Sequence, residues 1–425
     1  MIKSILREIR RSSSQALVGS IFVVATSVAH AQGFYLHDGD RVTFYGDSIT
    51  AQRLYTQDIE SFVDTRYRNL NIAFHNAGVP GDRVTGGYAG DATTRVTRDV
   101  APFNPSVIAV MLGMNEGGYT SFNPEVIPEF ETGYKKLLKL LREATPDARI
   151  TLLENTPYDE VTHGTEFTGY MDTTERIANS IPAIGASEKV PVINIEPPTE
   201  NLIESAAKAQ PVLAQLLIPD RIHPAEATHW VIAAAVMRAW HVTPIVSTVK
   251  LNAAQSRVDS SERTHVSGLS VSSTALSWDQ QDEALPLPLN LNDPLIRMVL
   301  SLTDLAALDQ ETLSVAGLPA RKYTIQIDHE KALGPFTAEE LAHGINLATM
   351  NTPMLHQSRE LSGNLDNRSK LEQAEFSLRV ETSASGKKAA SDALAEGEQE
   401  FTTKGRDSLK IPVHHYSLES ITESK

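Results

Sequence analysis

The chain has 425 residues, of which 41% are hydrophobic and 21% charged, so it is long enough for two domains and can bury a sizeable core. Its formal net charge of −15 at pH 7 argues against nucleic acid or an anionic membrane surface as the main partner. The sequence contains no cysteine, which excludes disulfides, thiolate catalysis and thiolate metal sites.

Residues 1–31 have the pattern of an export signal. Basic residues come first, a short apolar run follows at 16–28, and Ala29 and Ala31 form an A-x-A cleavage site. The run is shorter than the roughly 20 residues that a membrane-spanning helix needs. We therefore expect a signal peptide over residues 1–31, a periplasmic or secreted bacterial protein, and no stable membrane insertion after cleavage. An uncleaved membrane anchor is the alternative.

Residues 32–247 alternate between two patterns. Short apolar runs typical of buried parallel strands are RVTFYG (41–46), NIAFHNAG (71–78), SVIAVMLG (106–113), ARITLLEN (148–155) and VPVINI (190–195). Helix-like stretches between and after them lie at 59–67, 125–144, 169–181 and 225–240. Pro224 precedes the last stretch and suits the first turn of a helix. This alternation predicts a parallel sheet covered on both faces, a three-layer α/β sandwich.

In residues 248–425 the regular alternation of apolar strands and helices stops. The sequence predicts a smaller, mixed α+β region there. Residues 313–328 have the pattern of two strands around a turn. A short helix follows, with Thr337 as N-cap, Glu340 as its capping-box partner and Gly344 as its stop. From about residue 358 the chain is polar and helix-like, and residues 383–401 are expected to be loosely ordered. Glycan binding, packing against the first domain and dimerisation stay open as roles for this region.

A serine at the end of the first strand indicates where chemistry takes place, because ligands bind at the carboxyl ends of strands in an open parallel sheet. The hydroxyl of Ser48 needs a base within hydrogen-bond reach to become a nucleophile. His223, just before the last helix, suits that role, and Asp220 can hold its imidazole in the required tautomer. An oxyanion needs donors already in place, which the N–H groups of Ser48 and Gly81 and the side-chain amide of Asn115 can supply.

Four short blocks in this part of the chain resemble those of the SGNH, or GDSL-type, hydrolase superfamily. GDSI places Ser48 as nucleophile, GVPGD supplies Gly81, GMNE places Asn115, and DRIH supplies Asp220 and His223. The blocks stand in family order across residues 45–223. The resemblance implies a flavodoxin-like, five-stranded parallel sheet and an esterase or acylhydrolase that needs no metal and no cofactor.

The sequence departs from the family pattern at two positions. Ile49 replaces the usual leucine, and Glu116 replaces the usual aspartate, so no side-chain role is carried over to Glu116. Asp47, Glu116 and the glycine-rich loops that carry Tyr88 and Tyr119 are expected to border the cleft. The two tyrosines are expected to form an aromatic wall for a sugar ring or small acyl group, with simple packing as the alternative.

His229, His163 and His75 have sequence surroundings different from those of His223. His229 falls within an apolar helix and is expected to be a packed core residue, whereas His163 lies in a polar loop and is expected to be solvated. His75, at a strand end, has no clear role from sequence.

The sequence therefore predicts an exported serine esterase that hydrolyses short-chain, foremost acetyl, esters of carbohydrates or small molecules. A lipase-like or lysophospholipase activity is the first alternative. The second is a non-catalytic carbohydrate-binding protein on a hydrolase scaffold, which would have no need to keep Ser48, Asn115 and His223 together.

Overall fold

The computed structural model describes residues 33–164, 169–381 and 387–421. In its N-terminal region, up to the end of the last helix before residue 245, parallel strands form a central sheet. The strands of this region are β1 (Arg41–Gly46), β2 (Ala73–Gly78), β3 (Gly86–Gly87), β4 (Gly90–Asp91), β5 (Val107–Met111), β6 (Arg149–Leu153) and β7 (Val192–Ile193). β3 and β4 form a separate pair, and the other five are ordered β2-β1-β5-β6-β7. Gly46 is level with Gly78 on one side and Met111 on the other, so three neighbouring strands end at the same edge.

Helices cover both faces of this sheet. They are α1 (Ser48–Ala51), α2 (Leu54–Arg66), α3 (Ala92–Arg95), α4 (Val126–Ala144), α5 (Tyr170–Glu188), α6 (Glu196–Ala209), α7 (Pro211–Ala214) and α8 (Glu226–Ala239). Because side chains alternate along a strand, Val107 and Ala109 enter a core with α2, α6 and α8, while Ile108 and Val110 enter a core with α4 and α5. The predicted three-layer sandwich with a flavodoxin-like strand order is therefore confirmed.

The helices differ from the sequence expectation in several places. α2 begins at Leu54, several residues before the predicted start at residue 59. α6 has no counterpart among the predicted helices, and it carries proline in its first turn, where proline is well tolerated. α8 begins at Glu226 with Ala225 as its N-cap, so Pro224 precedes the helix and its predicted place in the first turn is wrong.

Two further sheets build the C-terminal region. Its strands are β8 (Ile245–Asn252), β9 (Arg257–Glu262), β10 (Thr264–Val271), β11 (Ala275–Asp282), β12 (Gln310–Ala316), β13 (Lys322–Ile327), β14 (Leu333–Thr337), β15 (Ile345–Asn346) and β16 (His414–Ser420). One sheet has the order β10-β11-β16-β13-β14 and the other β15-β12-β8-β9. Both contribute to a third apolar core, in which the rings of Trp278 and Tyr416 stack. The helices are α9 (Pro294–Leu302), α10 (Ala338–His343), α11 (Pro353–Glu381) and α12 (Lys387–Ser408).

The C-terminal region confirms some local predictions and corrects others. The capping box of Thr337 and Glu340 is present at α10, and Gly344 follows the helix as its C-cap. The two strands predicted in 313–328 form as β12 and β13, but they belong to different sheets and do not pair with each other. Residues 387–401, expected to be loosely ordered, lie in α12, which packs along α11. The predicted signal peptide, residues 1–31, lies outside the described residues.

Ion pairs join the C-terminal region to the sandwich. The guanidinium of Arg66 on α2 donates to Asp309 across 2.9 Å, and both side chains are buried. On α11, Arg368 donates to Glu60 of α2 across 2.6 Å. The chain from Phe34 onward accordingly forms one compact unit. Throughout the described ranges, no helix combines the length and the apolar character required to cross a membrane.

Candidate active site

Ser48 stands at the junction between β1 and α1. It is the first residue of α1, so its backbone N–H has no acceptor within the helix and remains available. Asp47 caps the helix by accepting a hydrogen bond from the Ile49 N–H across 2.9 Å. A Cβ atom on Gly46 would lie 2.2 Å from the Thr50 hydroxyl and 2.6 Å from the Met111 carbonyl, so only glycine lets the helix begin this close to the strand.

The loop before α8 brings His223 and Asp220 to this serine. The Nε2 atom of His223 lies 2.8 Å from the Ser48 Oγ, and its Nδ1 lies 2.6 Å from an Asp220 oxygen. The other Asp220 oxygen accepts from the backbone N–H groups of Ile222, at 3.0 Å, and His223, at 2.7 Å. Arg221 adopts φ 71° and donates to the carbonyls of His163 and Gly164, which anchors this tight loop.

The electrostatics of Asp220 favour one tautomer of His223. Burial acts to raise the pKa of Asp220, but the hydrogen bonds from the imidazole and from two N–H groups outweigh it, so this pKa lies below its usual value. An ionised Asp220 accepts from Nδ1–H, which leaves the Nε2 lone pair facing the Ser48 hydroxyl. This is the arrangement in which an imidazole can remove a proton from a serine.

Gly81 lies in a tight turn that follows β2. The N–H of Asp82 donates to the Val79 carbonyl across 3.2 Å, Pro80 is the second residue of the turn, and Gly81 has φ +72°. Proline followed by a residue of positive φ is the signature of a type II turn, which favours glycine at its third position. A Cβ at Gly81 would meet open space, so the backbone conformation, not crowding, requires this glycine.

Asn115 is buried beside that turn. Its Nδ2 donates to the Asp82 carbonyl across 2.9 Å, and its Oδ1 accepts from the Tyr119 hydroxyl across 2.7 Å. An amide nitrogen carries two hydrogens, so one N–H of Asn115 is not used by these two bonds. The structure thus brings Asn115 to the turn that carries Gly81, as expected for two donors to one oxyanion.

The two acidic side chains predicted to border the cleft make hydrogen bonds within its loops. Burial raises the pKa of Asp47 to about 7 and that of Glu116 to about 7. Asp47 is the helix cap described above. Glu116 accepts from the Val84 N–H across 2.9 Å and ties the loop after β5 to the loop after β2.

The two tyrosines occupy different environments. Tyr88 lies between β3 and β4 with 66% of its surface exposed. Tyr119 is half-buried, and its ring lies 4.9 Å from that of Tyr170 and 6.4 Å from that of Tyr158. The aromatic wall expected from Tyr88 and Tyr119 remains a prediction.

A buried ion cluster behind the turn was not predicted. Arg95 donates to Asp82 across 2.8 Å and to the Ala77 carbonyl across 2.6 Å, and it also pairs with Asp99. Arg95, Asp82 and Asp99 are all buried. The i, i+4 spacing of Arg95 and Asp99 was the available sequence signal, but the third member comes from a separate loop.

The other histidines are structural. His229 is fully buried, as expected, and accepts from the Tyr55 N–H across 3.3 Å, while burial lowers its pKa to about 3. His163 is half-buried, with Nε2 at 2.9 Å from the Ile218 carbonyl, so the expected solvated position is wrong. His75 lies 2.9 Å from the Asp99 carbonyl and stacks on Phe103. Among the described residues, no group of three or more metal-ligating side chains is positioned to hold a metal ion.

Comparison with protein-family models gives a match in this part of the chain. Residues 44–231 match the model of the GDSL-like lipase/acylhydrolase family, in agreement with the resemblance seen in the sequence blocks. No curated protein matches the chain.

Comparison with solved structures finds the following matches. The gut microbial diltiazem-metabolizing enzyme BT4096 has 23% identity and a TM-score of 0.77, covering 92% of this chain and 100% of its own. This likeness extends over the C-terminal region as well as the sandwich. Axe2, an acetylxylan esterase from Geobacillus stearothermophilus, has 20% identity and a TM-score of 0.38, covering 48% of this chain and 96% of its own.

Proposed function

We propose that this chain, whose residues 44–231 match the GDSL-like lipase/acylhydrolase family, is an exported serine esterase that removes short acyl groups, foremost acetyl, from carbohydrate esters. The observation that carries the proposal is the continuous hydrogen-bonded series from Ser48 through His223 to Asp220, at 2.8 and 2.6 Å. A protein that only bound carbohydrate would have no use for this series.

In the proposed reaction, the Ser48 Oγ attacks the acyl carbonyl carbon while His223 Nε2 takes the hydroxyl proton. Asp220 holds the imidazole and stabilises the positive charge that develops on it. The negative oxygen of the tetrahedral intermediate is bound by the N–H groups of Ser48 and Gly81 and by the unused N–H of Asn115. His223 then donates its proton to the leaving alcohol, and water repeats the sequence on the acyl-enzyme to release the acid.

Preference for short acyl groups is supported by the exposure of the triad. The side chains of His223 and Asp220 are 33% and 55% exposed, and the neighbouring Gly81 lies at the surface. Each methylene transferred from water into an apolar groove is worth about 0.8 kcal/mol, but only where a groove receives it. A site this exposed therefore gains little from a long acyl chain.

Export is proposed from residues 1–31 alone. Fractionation of the producing cells and N-terminal sequencing of the mature protein test it, with a new N-terminus directly after Ala31 expected. A protein found only in the cytoplasm with Met1 intact contradicts export and leaves the esterase proposal untouched.

The substrate proposal is tested by measuring kcat/KM for aryl esters from acetate to palmitate, with acetylated xylan and other acetylated polysaccharides assayed alongside. We expect a maximum at about two to four carbons and release of acetate from polysaccharide, because longer chains find no groove to bury them. A maximum at about eight carbons or more would favour the lipase-like alternative. No hydrolysis of any ester would favour the carbohydrate-binding alternative.

A further inference from the structure

The amide of Asn115 is held from two opposite sides. Its nitrogen donates to the Asp82 carbonyl, an atom that can only accept, and its oxygen receives the Tyr119 hydroxyl across 2.7 Å. The oxygen and nitrogen of an amide have nearly the same shape, so packing alone does not choose between the two orientations. The two bonds together select the orientation in which the second N–H of Asn115 is free.

The Tyr119 hydroxyl is itself held in place by neighbouring rings. Tyr119 has φ 61°, and its ring packs against Tyr158 and Tyr170. The Tyr170 hydroxyl donates to the carbonyl of Met114, the residue before Asn115, across 2.5 Å. Burial raises the pKa of Tyr119, so its hydroxyl keeps its proton and remains a donor at every pH at which an esterase is assayed.

Loss of the Tyr119 hydroxyl would leave the Asn115 oxygen without its partner. Asn115 is only 5% exposed, so water does not readily replace the lost donor. A buried acceptor without a donor carries a free-energy cost, which the amide can reduce by rotating away from its present orientation. Rotation would aim the free N–H away from the position where an oxyanion forms.

We propose that Tyr119 is a positioning residue for the oxyanion hole: its hydroxyl fixes the amide of Asn115 so that the free N–H faces the reacting carbonyl oxygen. This rests on the proposed function. It differs from the role expected from the sequence, in which the Tyr119 ring would contact a sugar.

The test uses the purified protein, with an aryl acetate as substrate. Tyr119→Phe removes the hydroxyl and keeps the ring, so we expect kcat to fall about 10-fold, as for the loss of one hydrogen bond, with KM unchanged. Tyr323→Phe is the matched control, because its hydroxyl donates to the Pro319 carbonyl in the C-terminal region. This control should retain wild-type kcat. Thermal melting and labelling of Ser48 by a fluorophosphonate establish that each variant is folded.

A double variant distinguishes action through Asn115 from independent action. If Tyr119 acts through Asn115, then Tyr119→Phe combined with Asn115→Ala loses no more activity than Asn115→Ala alone, whereas independent effects multiply. An unchanged kcat, a rise in KM as the main effect, or multiplicative losses would overturn the inference. An inactive wild type overturns the proposed function instead, and that result is distinct from an active wild type with a fully active Tyr119→Phe variant.

Discussion

The imidazole Nε2 of His223 lies 2.8 Å from the hydroxyl oxygen of Ser48, although 175 positions separate the two residues in the chain. Ser48 begins the helix after the first strand of the sheet, and His223 lies in the loop before the last helix of the sandwich. The contact therefore depends on the complete sandwich, since no shorter piece of the chain brings both residues together.

Replacing the proposed nucleophile should abolish ester hydrolysis without unfolding the protein. In Ser48→Ala the helix cap of Asp47 remains, so the melting temperature should stay close to that of the wild type. We expect kcat to fall by at least about 10,000-fold. Mass spectrometry after fluorophosphonate treatment should find the label on Ser48 of the wild type and nowhere on the variant. Undiminished turnover, or a label on another residue, would show that the nucleophile is elsewhere.

Removing the side-chain donor of the proposed oxyanion hole should lower kcat. Asn115→Ala is expected to lower kcat by about 100- to 1,000-fold with a much smaller change in KM, because the lost bond forms mainly in the transition state. Asn123→Ala is a suitable control, since Asn123 is exposed and its side chain accepts a hydrogen bond from the N–H of Glu125 in its own loop. An effect of Asn115→Ala confined to KM would make Asn115 a substrate contact.

Replacing Asp220 should lower kcat far more than replacing Glu116. Asp220→Asn is expected to lower kcat by about 10,000-fold, because an amide can favour the wrong tautomer of His223. Glu116→Gln should change kcat little, since glutamine can still accept from the Val84 N–H. Comparable losses in the two variants, measured by steady-state kinetics at one pH, would contradict the assignment of Asp220 as the orienting residue.

The same Glu116→Gln variant should reveal a pH dependence of stability. Burial raises the pKa of Glu116 to about 7 in the folded protein, from an ordinary value of 4.5. The folded state therefore binds more protons than the unfolded state between these values, so the contribution of Glu116 to stability falls as pH rises from about 4.5 to 7. Urea unfolding at pH 5 and pH 8 should show the variant gaining stability relative to the wild type at the higher pH. An equal difference at both values would mean that Glu116 is already ionised at pH 5.

The ion pair between Arg66 and Asp309 should contribute to the free energy of unfolding. Arg66→Met leaves Asp309 charged and buried without its partner, so we expect a loss of about 3–5 kcal/mol in the free energy of unfolding. Arg68→Met is the matched control, because Arg68 is exposed and donates only a long bond, 3.4 Å, to the Glu283 carbonyl. Chemical denaturation measures both variants, and equal stabilities would show that the pair contributes nothing.

Features that depend on neighbours in the chain were determined by the sequence itself. The apolar runs that became β1, β2, β5, β6 and β7 are buried between two helical layers, and such strands must be apolar on both faces. The capping box of Thr337 and Glu340 was equally predictable, because both of its hydrogen bonds are made within one helical turn. The residues proposed for catalysis were identifiable from the sequence because a serine, an asparagine, an aspartate and a histidine stand in short sequence blocks at strand ends or just before the last helix.

Features that depend on distant partners were decided only by the tertiary structure. β12 and β13 follow each other in the chain yet join different sheets, because β8 and β16 are their partners there. α12 forms although its sequence is polar, since it packs along α11, and a helix in a protein gains most of its stability from such packing. The partnership of Tyr119 with Asn115 likewise had no sequence signal: a hydrogen bond between two side chains is set by the path of the loop that carries them, and folding alone chooses that path.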